Sequence, residues 1–314
     1  MRRAAVLSAL LGLLWSGLPA AAAGDHWTLV WSDEFDGPGI DPDKWARDVD
    51  CWGGGNEERQ CYTASDRNAL IEDGRLVIIA RREPVKGPAL PAAQRQGAER
   101  PEAQVTRGFS SAKLTTRGKA AWQFGRFEVR ARLPQGQGSW PAFWMLPEDP
   151  RYGPWAASGE IDILEAVNLG VPCPACPGGR ENTLLGTLHF GGPWPENRQA
   201  GTEAAFPPVL DGGFHTYALV WGPDRMLWLV DGRPFAERRA SEWSTTGSAR
   251  PGAPFDQPFH LILNLAIGGR LPEGRGLGGV ARTGYPLRME IDWVRVWQRQ
   301  GEAAGSIGPD SAGF

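Results

Sequence analysis

Short apolar runs separated by Gly, Pro, Asn and Asp recur along the chain, and a helical period is hard to find beyond the N-terminal segment. The segment 127–133 alternates apolar and charged side chains, which is typical of a strand with one buried and one solvated face. Asp-Gly pairs at 73–74 and 231–232 flank apolar runs and favour tight hairpin turns. The pattern therefore predicts an all-β fold, a β-sandwich of two antiparallel sheets. The predicted strands are 76–80, 109–115, 127–133, 140–146, 159–167, 184–190, 215–221, 227–230, 259–267 and 287–297.

Two segments interrupt this pattern, 86–106 and 171–182, and both are predicted to be surface loops. The residues after Gln298 are small and polar, which predicts a frayed tail over 299–314. No linker divides the rest of the chain, so we expect one domain over 24–298.

The N-terminal segment has the order of a secretory signal. Arg2 and Arg3 precede an apolar stretch over 4–18, and small residues follow at 20–23. This order predicts a signal peptide over 1–23 and a secreted protein, periplasmic or extracellular. No later apolar run reaches the roughly 18 residues of a membrane span, so we expect no membrane anchor. We also expect a monomer.

The overall charge is slightly negative, which narrows the classes of partner. There are 33 Lys and Arg against 36 Asp and Glu, a formal net charge of −3. Loss of Arg2 and Arg3 with the signal peptide would leave 31 basic residues against 36 acidic ones, a net charge of −5. This balance excludes a strongly basic nucleic-acid binder as the first interpretation and disfavours an acidic polymer as substrate.

Four cysteines in a chain sent to an oxidising compartment indicate two disulfides. Three pairings are possible, and the short separations favour Cys51–Cys61 and Cys173–Cys176. A four-cysteine zinc site is the alternative, but the chain contains only one Cys-x-x-Cys.

Tryptophan is over-represented, with 15 Trp against 4 Tyr. Large rigid rings suit either a sandwich core or a platform for the apolar faces of sugar rings, and the core is the commoner place. Trp140 and Trp144 share one face of a predicted strand, so they are candidates for a platform.

The segment 159–165 places three acids among apolar residues of a predicted strand. With a period of two, Glu160 and Asp162 share one face and Glu165 lies opposite. A one-residue bulge at 163–164 would return Glu165 to the face of the other two. The two Glu Cα atoms would then be about 13 Å apart. Side chains leaning together would bring the carboxyls to roughly 5 Å, the separation in retaining glycosidases.

The alternative explanation of this segment is a strand whose solvent-exposed face is acidic and has no function. For such a spacing alone, this is the commoner case. Aligned like charges destabilise a strand, however, and nothing basic lies between these acids. Metal binding is less favoured because no neighbouring His or Asp pattern completes an oxygen-ligand loop. The acids therefore indicate catalysis.

Together these motifs make the chain resemble glycoside hydrolase family 16 of the bacterial laminarinase (endo-β-1,3-glucanase) type, over about 27–298. The resemblance implies a jelly-roll sandwich with a substrate cleft across its concave face. It also implies a nucleophile at Glu160, an assisting carboxylate at Asp162 and an acid/base at Glu165, with no catalytic cofactor. The extra residue before Glu165 favours laminarinases over lichenase-type members, which resemble Glu-x-Asp-x-Glu. The matching segments are 31–35, 52–56, 124–128, 136–145, 158–165, 186–189 and 255–269.

The resemblance implies further site residues. His189 is expected in the cleft beside the acid/base, and a structural calcium ion is expected at Glu34, Gly74 and Asp292. Glu57 stands where a second Asn would match the family better, which affects contacts to the outer donor sugar. The positions that match sugar subsites are Asn56, Trp140, Trp144, Trp155 and Gln257.

The predicted function is retaining endo-hydrolysis of a β-1,3-glucan by double displacement, with the polysaccharide as the partner. The alternatives are a hydrolase of the same fold acting on mixed-linkage glucan or a galactan, and a non-catalytic β-glucan-binding protein. The presence of both Glu160 and Glu165 argues against the second alternative.

Overall fold

The computed structural model describes residues 26–95 and 98–299. The predicted signal peptide and residues 300–314 of the predicted tail lie outside this part of the chain. Residue 299, which we predicted to begin the tail, is the last residue of a strand.

Strands dominate the described chain. The two helices are short, α1 Ala92–Arg95 and α2 Arg270–Gly274, and single 3-10 turns lie at Pro177–Gly179, Pro207–Leu210 and Ala240–Glu242. The strands are β1 Trp27–Asp33, β2 Ala46–Arg47, β3 Gln60–Tyr62, β4 Ala69–Glu72, β5 Arg75–Ala80, β6 Val85–Pro88, β7 Gln104–Arg107, β8 Phe109–Ser111, β9 Lys113–Thr115, β10 Gly125–Arg132, β11 Ser139–Pro147, β12 Glu160–Ala166, β13 Thr183–Gly191, β14 Asn197–Ala205, β15 His215–Trp221, β16 Arg225–Val230, β17 Arg233–Arg239, β18 Phe259–Ile267 and β19 Leu287–Arg299.

Two large antiparallel sheets form the predicted jelly-roll sandwich. The eight-stranded sheet has the order β17-β16-β15-β10-β19-β5-β4, with β1 also paired to β19. The seven-stranded sheet has the order β14-β13-β12-β11-β18-β9-β2. Strands that pair in a sheet, such as β10 and β19, are far apart in the sequence. The acidic strand β12 thus lies within the seven-stranded sheet, between β11 and β13.

The main core fills the space between the two sheets. Phe127, Val129 and Ala131 of β10 are fully buried, as the predicted alternation requires. Two large tryptophans of the eight-stranded sheet, Trp221 and Trp228, are also fully buried. Six of the 14 described tryptophans are buried, so packing accounts for part of the Trp excess.

All the predicted strands occur, and the bounds of β15 and β18 agree with the prediction. The predicted strand 109–115 is two strands, because β8 pairs with β3 whereas β9 pairs with β18. The edge strand β14, Asn-Arg-Gln-Ala-Gly-Thr-Glu-Ala-Ala, was not predicted. Its side chains carry almost no apolar alternation, since an edge strand buries little.

The prediction of a plain surface loop over 86–106 is wrong. Strands β6 and β7 form a hairpin there, and α1 lies between them. This hairpin carries little local signal, because its strands have few apolar residues and expose much of their surface.

Both favoured disulfides are present, Cys51–Cys61 and Cys173–Cys176, so the zinc alternative is wrong. On the chain-entropy model, closing the Cys51–Cys61 loop contributes roughly 2.5 to 3 kcal/mol. The second bridge ties the loop over 171–182, which was predicted as a surface segment. Within the described residues, no helix has the length and apolar character needed to cross a membrane.

Candidate active site

A bulge in β12 brings the three predicted acids to one face. On the β13 side, Asp162 lies opposite Thr187 and Glu165 lies opposite Leu185, so β12 carries one extra residue between them. The same shift occurs against β11, where Trp144 faces Asp162 but Phe143 faces Leu164. The bulge predicted at 163–164 is therefore confirmed.

Each catalytic candidate glutamate accepts a hydrogen bond from a tryptophan. The indole Nε1 of Trp155 donates to Oε2 of Glu160 over 2.8 Å, and Nε1 of Trp140 donates to Oε1 of Glu165 over 2.9 Å. An indole N–H can only donate, so each bond holds one carboxyl oxygen and leaves the other available. The two tryptophans that we predicted as sugar contacts thus also fix the orientations of the two carboxyl groups.

His189 lies across from the predicted nucleophile. In the register of β12 and β13, His189 faces Glu160, and its Nε2 is 3.8 Å from Oε1 of Glu160 and 3.2 Å from Oδ2 of Asp162. The resemblance placed His189 beside Glu165, whereas in the strand register Glu165 lies opposite Leu185, four residues from His189 on β13. Asp162 is therefore within ion-pair distance of His189, although its partner in the strand register is Thr187.

Burial and mutual repulsion shift the pKa values of the two glutamates unequally. Burial, and then the charge of Asp162, raises the pKa of Glu165 to about 8. The same two causes raise the pKa of Glu160 to about 7, against the charge of His189 and the hydrogen bond from Trp155. The predicted order is thus present, with Glu160 the first of the two to ionise.

His189 is the positive counterpart of this acidic cluster. Burial disfavours the imidazolium, but Asp162, whose Oδ2 lies 3.2 Å from Nε2, and the charges of Glu160 and Glu165 outweigh it and raise the pKa of His189 to about 9. Glu160, Asp162 and His189 offer ligand atoms that all lie within 4.8 Å of one another. A metal ligand must be neutral imidazole, so a metal ion could bind these three groups only if His189 lost its proton.

Trp144 is anchored by a buried polar chain. Its Nε1 donates to Oδ1 of Asn264 over 2.7 Å, and Nδ2 of Asn264 donates to the Tyr62 hydroxyl over 3.0 Å. That hydroxyl donates to Oε2 of Glu58 over 3.3 Å, and burial raises the pKa of Glu58. The roles of Tyr62 and Glu58 were not predicted, since only the fold brings residues of β3 and its preceding loop against β18.

The two remaining predicted sugar contacts, Asn56 and Gln257, differ in their exposure to solvent. Asn56 is exposed, at the loop whose next residue, Glu57, receives a fork of hydrogen bonds from Arg270 over 2.9 and 3.2 Å. Gln257 is 1% exposed, and its Nε2 donates to the carbonyls of Ser158 and Pro254. These bonds hold the segment that leads into Glu160, which supports a positioning role for Gln257.

The two acidic candidates for the calcium site are already engaged by arginines. Arg295 donates two hydrogen bonds to Glu34 over 2.8 and 3.0 Å, and these bonds hold the pKa of Glu34 below its ordinary value. Arg130 donates to Asp292. Calcium requires six to eight oxygen ligands, and two guanidinium groups on its acidic ligands repel a cation. These residues therefore do not fit a calcium ion in this arrangement.

Comparison with known proteins agrees with this geometry. Residues 59–295 match the model of glycosyl hydrolases family 16. The chain is 39% identical over 306 residues to a beta-glucanase of Rhodothermus marinus, covering 95% of each chain. It is 38% identical over 295 residues to glucan endo-1,3-beta-glucosidase A1 of Niallia circulans, covering 90% of this chain and 40% of that protein. The structure of the laminarinase from Rhodothermus marinus matches with a TM-score of 0.69 at 38% identity, over 87% of this chain and 98% of that one. With its bulged acidic strand in place, the chain belongs to glycosyl hydrolase family 16.

Proposed function

We propose that the protein hydrolyses internal linkages of a β-1,3-glucan such as laminarin, with retention of the anomeric configuration. The observation that carries this proposal is the pair Glu160 and Glu165 on one face of β12, each held by an indole and with unequal pKa values. Unequal proton affinity in a carboxyl pair assigns one as nucleophile and the other as acid. The relatives named as β-glucanases support the choice of substrate.

In the first step, protonated Glu165 donates its proton to the glycosidic oxygen as the bond from that oxygen to the anomeric carbon breaks. Ionised Glu160 forms a bond to the same carbon, which gives a covalent glycosyl-enzyme. In the second step, Glu165 takes a proton from water while the water oxygen attacks the anomeric carbon, and Glu160 leaves as a carboxylate. The family needs no catalytic cofactor for these steps.

His189 and Asp162 support the ionised form of Glu160 in this scheme. The imidazolium, 3.8 Å from Glu160, favours the carboxylate, and Asp162 in turn keeps His189 protonated. Without that cation, burial and the negative charge of Asp162 would raise the pKa of Glu160 further. We therefore assign His189 and Asp162 as groups that tune the nucleophile.

We further propose that the protein acts outside the cytoplasm as a monomer on a polysaccharide, and not on nucleic acid or at a membrane. The N-terminal pattern over 1–23 and the formal net charge of −3 support this proposal. Two disulfides fit an oxidising compartment.

A reducing-sugar assay on laminarin, lichenan, agarose and carrageenan in parallel tests the substrate. Release from laminarin first supports the proposal, and faster release from lichenan or agarose would assign mixed-linkage glucan or galactan instead. Release from none, with binding to laminarin retained, would favour a glucan-binding protein. The Glu165→Gln variant is the control for contaminating activity.

A further inference from the structure

Trp194 is the most exposed large apolar side chain in the described part of the chain, at 69%. The next tryptophans, Trp155 and Trp52, are 40% and 36% exposed. A single exposed apolar residue is ordinary at a protein surface and needs no explanation by itself. The position of Trp194 is what distinguishes it.

Trp194 lies in the turn that follows β13, at the end of that strand where His189 faces Glu160. The backbone N–H of Trp194 donates to the carbonyl of Trp155 over 3.1 Å, and the N–H of Ala156 donates to the carbonyl of Gly192 over 3.2 Å. These two bonds tie the turn to the segment that carries Trp155.

The turn itself is closed by a third bond, from the N–H of Glu196 to the carbonyl of Pro193 over 2.7 Å. A residue held by its own turn and by a neighbouring segment loses little conformational entropy on binding. The backbone that carries the exposed ring is therefore already held before any ligand arrives.

Trp155 connects this turn to the candidate site. Its indole donates to Glu160, and its ring centroid lies 5.6 Å from that of His189. Trp194 is thus bonded through its backbone to the residue whose indole holds Glu160, in the turn directly after β13. An aromatic ring that continues a sugar cleft is suited to the apolar face of a further sugar ring.

We propose that Trp194 is an outer subsite, on which a pyranose ring of the bound β-glucan chain stacks beyond the sugar that contacts Trp155. This inference rests on the proposed function and adds a site that the catalytic residues do not define. The platform is distant from the bond that breaks. It therefore stabilises the bound long chain and its transition state equally, and does not change the chemical step. Its contribution should therefore grow with the length of the substrate.

The test is the kcat/KM of wild type, Trp194→Ala and Trp194→Phe on β-1,3-gluco-oligosaccharides of increasing length and on laminarin. We expect Trp194→Ala to lose roughly 10-fold on laminarin and long oligosaccharides, mostly through KM, with a loss that shrinks as the chain shortens. Trp194→Phe should recover most of the loss, since it restores an aromatic face. Trp293→Ala, which removes a partly buried Trp from β19 of the other sheet, is the matched control.

An equal loss at every substrate length, or no loss at any length, would overturn the platform. A change in sedimentation of Trp194→Ala without a change in kinetics would instead assign the ring to contact between two copies of the chain, and would also overturn it. If wild type releases no sugar from any β-1,3-glucan, the proposed function fails. That outcome is distinct from a platform failure, which requires an active wild type.

Discussion

The indole Nε1 of Trp228 donates a 2.8 Å hydrogen bond to the backbone carbonyl of Asp162, so that a residue of the eight-stranded sheet holds the bulge of the catalytic strand in the other sheet. Trp228 is fully buried, and the bond reaches across the core. The ladder between β12 and β13 is interrupted at this point, which is where a donor from outside the sheet is needed. Gly186 of β13 makes room for the ring, because a Cβ there would lie 2.5 Å from it.

Trp228→Phe should therefore lower activity through the geometry of β12. The substitution keeps an aromatic ring but leaves the Asp162 carbonyl without the indole donor, at a cost of roughly 1 to 3 kcal/mol in the free energy of unfolding. Because the carboxyls move relative to the substrate, kcat should fall more than KM rises. Chemical denaturation and steady-state kinetics on laminarin measure the two effects.

Trp221→Phe is the matched control for this variant. Trp221 is equally buried in the same core, and its Nε1 has no hydrogen-bond partner among the described residues. If Trp221→Phe lowers kcat as much as Trp228→Phe does, the effect is one of packing, and the bond to Asp162 is not what positions the bulge.

This relationship also shows where prediction from sequence stops. The period of two, the Asp-Gly turns and the acidic segment predict the strands and the bulge from local pattern alone. The hydrogen bond from the Trp228 indole to the Asp162 carbonyl joins two segments that are distant in the chain. The hydrogen bond from the Asn264 amide to the Tyr62 hydroxyl does the same. No local period carries such a pairing, so these residues could be found only once the fold was known.

Glu160→Gln and Glu165→Gln should each lower kcat on laminarin by about 10³ or more while the protein stays folded. Glutamine keeps the size of the side chain but can neither attack the anomeric carbon nor supply a proton. Glu72→Gln is the control, because Glu72 pairs with Arg288 on the eight-stranded sheet, away from the site. Substantial turnover by purified Glu160→Gln would remove Glu160 from the role of nucleophile.

The same two variants should be more stable than wild type at alkaline pH. The folded pKa values of Glu160 and Glu165 are about 7 and about 8, above the ordinary value of 4.5. A raised folded pKa contributes stability below pH 4.5, and that contribution is lost as the pH rises through 7 to 8. Glutamine does not ionise, so we expect each variant to gain roughly 1 to 3 kcal/mol above about pH 8 and little near pH 4.5. Thermal unfolding of wild type and variants at several pH values measures this gain in stability. A gain that is equal at all pH values contradicts this account.

The pH dependence of kcat/KM should be a narrow bell whose limbs come from the same pair. The active form has Glu160 ionised and Glu165 protonated, which requires a pH between about 7 and about 8. His189→Gln removes a cation that favours ionised Glu160, so the acid limb should move to higher pH. His215→Gln, on β15 of the other sheet, should leave the limb in place. A downward shift in His189→Gln would mean that His189 does not act through its charge on Glu160.

Chelation should leave the melting temperature unchanged. The family resemblance implied calcium at Glu34, Gly74 and Asp292, but Arg295 and Arg130 donate hydrogen bonds to the two carboxylates. A ligand that binds only the folded state raises stability by mass action, so a bound calcium ion would be revealed by a fall in melting temperature with EDTA. Such a fall, reversed by added calcium, would restore the predicted metal site and require both arginines to turn away.

Hydrolysis should retain the anomeric configuration and begin within the chain. The bulge makes the two glutamates effectively four positions apart on one face of β12, so their Cα atoms are about 13 Å apart and their inclined carboxyls reach roughly 5 Å. An inverting enzyme needs about 6.5 to 9.5 Å between its carboxyls to seat a water opposite the leaving group, so a separation of roughly 5 Å predicts retention.

We therefore expect Glu160 to attack the anomeric carbon directly, so that two successive inversions give retention. Proton NMR of freshly cleaved laminarin should show the β-anomer first, with oligosaccharides of medium length appearing before glucose. If the α-anomer appears first, the carboxyls are far enough apart to admit a water, and Glu160 is a base. If glucose is the sole early product, attack starts at a chain end, and the cleft is closed at one side by a segment such as the β6–β7 hairpin or the loop over 171–182.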